Sequence, residues 1–140
     1  MGAWGIENFE NDDALDWVIE LESAKDLSII NAAFDAVIKN SREYVDAWES
    51  SIALAAAEVC AALNGQPDEK LPEEVVTWVE AQRRNDLIQQ SIETGDVLKK
   101  AKQAVSIVLA DSELRELWEE TDEFNLWKGV VADLQTRLDD

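Results

Sequence analysis

A chain of 140 residues carrying 31 Asp and Glu against 12 Lys and Arg has a net charge of −19, with no histidine and one cysteine. Those counts exclude an imidazole base, Ser-His or Cys-His nucleophiles and His-ligated zinc, and so negative a field repels nucleic acid and anionic membrane while drawing in basic protein surfaces. Apolar residues still make up 46% of the chain, with six Trp, two Pro and five Gly, enough to fold residues 1–140 as one domain with no disulfide, metal or cofactor.

The chain opens on an arm, residues 1–10, in which Trp4 stands between Gly2 and Gly5. It lacks the basic segment and long apolar core of a leader, and no window reaches the roughly 20 apolar residues that span a bilayer, so the expectation is a cytoplasmic protein. A large aromatic gains most by burial. Trp4 is therefore expected to fold over the first helix beside Phe9 as a plug, the alternative being an exposed finger that grips a partner.

Asn11 reads as an N-cap followed by Asp12 and Asp13, whose carboxylates complement the free amides of a first turn. Ala14, Trp17, Val18 and Leu21 form the inward stripe of that helix. Asp12, Asp13, Asp16 and Glu20 fall within about 100° of one another on the other side. A second helix is predicted from Leu27 to Lys39, ending at Asn40-Ser41. The third and longest places Val45, Trp48, Ile52, Ala55, Val59 and Ala62 at alternating steps of three and four, its Ala-rich middle allowing close neighbours, until Gly65 and Pro67 stop it. Cys60, in the same apolar run, is expected to be a buried filler.

Pro72 opens a short helix with Glu73 and Glu74 in its first turn and Val75, Trp78 and Val79 inward. Leu87, Ile88 and Ile92 suit another, broken at Gly95. Asp96 then caps a long helix to Ala110, Ser112 caps a short one carrying Leu114, Leu117 and Trp118, and a last helix runs from Phe124 to Leu138. No segment alternates as a strand does. The predicted class is all-α, a compact bundle of about seven helices with the arm packed on it.

The opening Gly2-Ala3-Trp4-Gly5-Ile6-Glu7-Asn8-Phe9-Glu10-Asn11-Asp12-Asp13-Ala14 resembles that of the bacterial family catalogued as domain-of-unknown-function family 4259. Ala55-Ala56-Ala57-Glu58-Val59, Leu71-Pro72-Glu73-Glu74-Val75 and Leu109-Ala110-Asp111-Ser112-Glu113-Leu114 are similar to it as well. The resemblance implies relatives in fold and carries over no activity, cofactor or site residue.

Carboxylates three apart, as a magnesium-dependent helical hydrolase needs on facing helices, occur at Asp13 and Asp16, Glu43 and Asp46, Glu116 and Glu119, and Glu120 and Glu123. With 31 acidic residues in 140, random placement supplies about seven such pairs, so their reading as a solvated face needs no metal. The acidity itself points elsewhere. The expectation is a non-enzymatic binding protein that engages a basic protein partner through Asp12, Asp13, Asp16 and Glu20 and through Glu116, Glu119, Glu120 and Glu123, as an immunity or antitoxin-like protein would against a cationic nuclease toxin. The alternatives are the metal-dependent hydrolase and a structural or oligomerising helical module.

Overall fold

The computed structural model describes residues 3–139; Met1, Gly2 of the arm and Asp140 lie outside the described residues. It contains eight α-helices among the described residues: α1 (Asp12–Glu22), α2 (Ser28–Asn40), α3 (Ala47–Leu63), α4 (Glu73–Gln82), α5 (Asp86–Thr94), α6 (Asp96–Ala110), α7 (Glu113–Glu119) and α8 (Phe124–Asp139). The all-α class is as predicted, with eight helices where about seven were expected, and the break expected at Gly95 separates α5 from α6. At φ 81°, Gly95 is in the left-handed region that closes a helix cheaply only for glycine.

Several ends follow from local chemistry. Asn11 Oδ1 accepts from the Ala14 amide at 2.8 Å and Ser112 Oγ from the Arg115 amide at 3.1 Å, satisfying first-turn donors as expected. Asp96 lies inside the first turn of α6 and makes no cap, Gly95 occupying that place. Leaving α3, the Gly65 amide bonds Ala62 O at 3.0 Å and the Gln66 amide bonds Ala61 O at 2.8 Å, with Gly65 at φ 86°, the paired 5→2 and 6→1 bonds of a Schellman stop.

α3 touches each of the other seven helices. Alanines 53, 55, 56, 57, 61 and 62 are buried on all sides of it, and side chains this small let backbones approach from several directions at once. Around it pack Trp17, Val18 and Leu21 of α1, Ile30, Phe34 and Val37 of α2, Trp78 of α4, Val105 and Val108 of α6, Trp118 of α7 and Trp127, Leu134 and Leu138 of α8. Cys60 is fully buried in this core, and burial pushes its thiol well above its ordinary value.

Two tryptophans contradict the sequence reading. Trp4 is 57% exposed: the Trp4 amide bonds Glu10 O at 3.0 Å, closing a loop that turns Phe9 and Asn8 inward instead. Phe9 is the plug, and Trp4 is not. Trp48, placed in the inward stripe of α3, is 58% exposed because it lines an open cleft between α1, α2 and α3, while Val45 and Ser50 on either side of it are buried. Ile52, one turn on, is half-buried.

Inside, Glu58 is a charged residue at the centre of the helix core, its side chain 1% exposed. Arg137 of α8 answers it in a bidentate pair, Nη1 to Oε1 at 2.8 Å and Nη2 to Oε2 at 3.1 Å. Asn8 Nδ2 donates to Oε2 at 2.8 Å, and Arg137 Nε reaches Asp133 Oδ2 at 2.8 Å. Burial pushes the Glu58 carboxyl above its ordinary value, with the Arg137 and Asn8 hydrogen bonds pulling against it. Burial alone would weaken the charge of Arg137, but the bonds to Glu58 and Asp133 hold its pKa above the usual value. The arm, the central helix and the last helix are thus joined by one polar knot.

A candidate acidic and aromatic interface

The N-cap of α3 organises a surface that carries several carboxylates. Asp46 accepts from the Glu49 amide through Oδ1 at 2.7 Å, which fixes the first turn of α3 and holds the Asp46 carboxylate at the bundle rim. The loop before it is anchored by the Glu113 amide on Val45 O at 2.9 Å, and Glu113 Oε1 accepts from the Ala47 amide at 2.7 Å. α7 is thereby docked against the start of α3.

Those anchors bring together carboxylates far apart in the chain. Asp13 is held above its ordinary value first by partial burial, then by the negative charges of Asp16, Asp12 and Asp46. The Tyr44 phenol is raised as well, first by partial desolvation and then by Glu113 and Glu116, with Asp46 contributing. Asp12, Asp13 and Asp16 of α1 therefore act on the same patch as Asp46, Glu113 and Glu116. Among the described residues no ion pair reaches any of these six, whereas Glu119 is tied to Arg115 at 2.8 Å.

Of the eight residues expected from sequence, Asp12, Asp16, Glu20, Glu116, Glu119, Glu120 and Glu123 are exposed and Asp13 is half-buried. Asp46 links two groups of them, acting on Asp13 beside Asp12 and Asp16 and on Tyr44 beside Glu116. Glu119 is paired with Arg115, and Glu120 and Glu123 lie at the α7–α8 turn with no ion pair among the described residues. Sequence reasoning missed Asp46, Trp48 and Glu49 as neighbours of α1, and Tyr44 and Glu113 as neighbours of Asp46. The available signal was Asp46 followed three residues later by Glu49, a helix start that would have put Trp48 in the first turn.

Apolar groups interrupt the charge. Leu15 and Ile19, one helical turn apart on α1, are 37% and 66% exposed, and Tyr44 is 54% exposed. Carboxylates alternating with exposed aromatic and branched side chains provide both long-range attraction and contact area. Among the described residues no three His, Cys, Asp or Glu side chains gather as a cation site would. Nor is any helix among them long and apolar enough to cross a membrane.

Fold and surface together define an all-helical protein with an acidic, aromatic-bearing face at one end of its central helix. The model of the domain of unknown function DUF4259 matches residues 2–130, and the chain belongs to that family. No curated protein and no solved structure matches it.

Proposed function

We propose that this is a non-enzymatic binding protein whose acidic face engages a basic protein partner. The observation that carries the reading is that Asp46 lies within electrostatic reach both of Asp13, which Asp12 and Asp16 also raise, and of exposed Tyr44, which Glu113 and Glu116 also raise, with no internal cation paired to these six carboxylates among the described residues. Clustering six like charges costs folding stability through self-repulsion, and an opposite charge supplied in trans relieves it. One concrete form is an immunity or antitoxin-like protein that covers the phosphate-binding Lys and Arg of a nuclease toxin in the cytoplasm.

The test replaces Asp12, Asp13, Asp16 and Glu20 with Asn or Gln and follows association with a basic partner captured at low salt. None of the four belongs to the buried stripe of α1, so the fold is retained at a cost of a few tenths to about 1 kcal/mol per first-turn carboxylate. The on-rate falls and its salt dependence flattens, because exposed charges act chiefly on encounter and the screening length at 0.15 M is about 8 Å. Equal on-rates and equal salt slopes for wild type and variant would refute the reading.

A further inference from the structure

Beside this face, α1, α2 and α3 leave an open cleft of about 260 Å³ whose lining is mostly apolar. Trp17 and Trp48 contribute indoles, and Ala36 and Ile52 are among its aliphatic walls. Its only charged lining groups are Glu20 of α1 and Glu49 of α3. Glu49 is oriented by Asn40, whose Nδ2 donates to Oε1 at 2.9 Å. Trp17 is buried against the core and fixed, while Trp48 stands 58% exposed at the mouth. Among the described residues the cations lying over an aromatic ring are Arg115 and Lys128, both on Phe124 at 5.0 and 5.4 Å, so none serves either indole of the cleft.

We infer that this cleft is an arginine-binding pocket that takes one Arg side chain of the basic partner, an inference that rests on the reading above. Each part of the pocket matches part of that side chain. Aliphatic walls receive the methylenes. The exposed Trp48 face attracts a guanidinium through the ring quadrupole and by planar stacking, and two carboxylates from different helices accept from its fork of N–H groups. Lysine fits less well: its ammonium is a compact, strongly hydrated charge that gives up more solvation on entering an apolar cleft and cannot stack. A second copy of this chain is disfavoured as occupant, because a net charge of −19 repels its own kind and both cleft charges are negative.

The probe is N-acetyl-arginine amide, titrated at 0.15 M salt and followed by the indole N–H signals in two-dimensional ¹H–¹⁵N spectra, with the lysine and citrulline amides as controls. Saturable shifts confined to Trp48, Trp17 and their neighbours are expected for arginine, with affinity several-fold weaker for lysine and no saturation for neutral, isosteric citrulline. Trp48→Ala removes the response. Glu49→Gln, which keeps an acceptor for Asn40, weakens it by about tenfold or more, as for a lost charge-assisted hydrogen bond. Trp48 is exposed, so its variant folds, and circular dichroism verifies both. Arginine and lysine amides perturbing the whole acidic surface alike, a response that survives Trp48→Ala, or a dimer of this chain that Trp48→Ala dissociates would each overturn the assignment. Asp12→Asn, Asp13→Asn and Asp16→Asn together leave arginine-amide affinity within about twofold, since these side chains do not line the cleft. Loss of partner association with an intact amide response therefore separates the two proposals, as does the converse.

Discussion

Replacing Arg137 by Met leaves Glu58 charged in the core with Asn8 as its one remaining hydrogen-bond donor among the described residues, a change whose size follows from the geometry of the pair. The side chains are 13% and 1% exposed and meet in two bonds, at 2.8 and 3.1 Å, so solvent cannot take over the role of Arg137. Breaking a buried pair by removing one partner costs about 3–5 kcal/mol. The outer bond to Asp133, whose side chain is 65% exposed, adds little to that figure. Against a domain stability of about 5–15 kcal/mol this is a large fraction, and with a urea slope of about 2 kcal/mol/M it moves the midpoint by about 1.5–2.5 M. The cost also depends on pH. Glu58 already lies above its ordinary value of 4.5 through burial, and losing Arg137 removes the leading influence that lowers it. A carboxyl whose folded pKa exceeds its unfolded one contributes stability below the unfolded value and loses that contribution as pH climbs through the folded one. The deficit of Arg137→Met relative to wild type is therefore greatest near pH 7 and shrinks toward pH 4.5 as Glu58 protonates. Adding Glu58→Gln removes the stranded charge yet keeps an acceptor for Asn8, and restores most of the loss at pH 7. Urea unfolding followed by tryptophan emission at several pH values measures all three variants. A deficit below about 1 kcal/mol at pH 7, or one that does not change with pH, would show that Glu58 and Arg137 are not paired as described.

Trp4→Ala changes stability by no more than about 0.5 kcal/mol, because the indole is 57% exposed, whereas Phe9→Ala costs about 3–5 kcal/mol; thermal unfolding of the two variants reverses the ranking if Trp4 is the true plug. Cys60, fully buried and with its thiol pushed up by burial, resists a thiol reagent in native protein at pH 8 and reacts fully in urea, and rapid native labelling would place it at the surface.

Helix content and most helix ends were written locally. Asn11 and Ser112 each bond an amide three residues on, and Gly65 and Gly95 take up positive φ, so a few neighbouring residues decide each event. The acidic stripe of α1 was legible for the same reason: a 3.6-residue period fixes which side chains share a face before any packing occurs. Periodicity also assigned Trp48 to the core, and there it failed. Phase around a helix says nothing of how fully neighbours cover a face, and only the packing of α1 and α2 leaves an open cleft in front of Trp48. Glu58 carried half a message, since a carboxylate among buried alanines demands a partner, but nothing near it in the chain names Arg137, 79 positions away. The acidic face has the same character. Asp13, Asp46 and Glu116 belong to three segments whose charges add only because α1 and α7 both dock on the start of α3, a consequence of tertiary packing that no single segment contains.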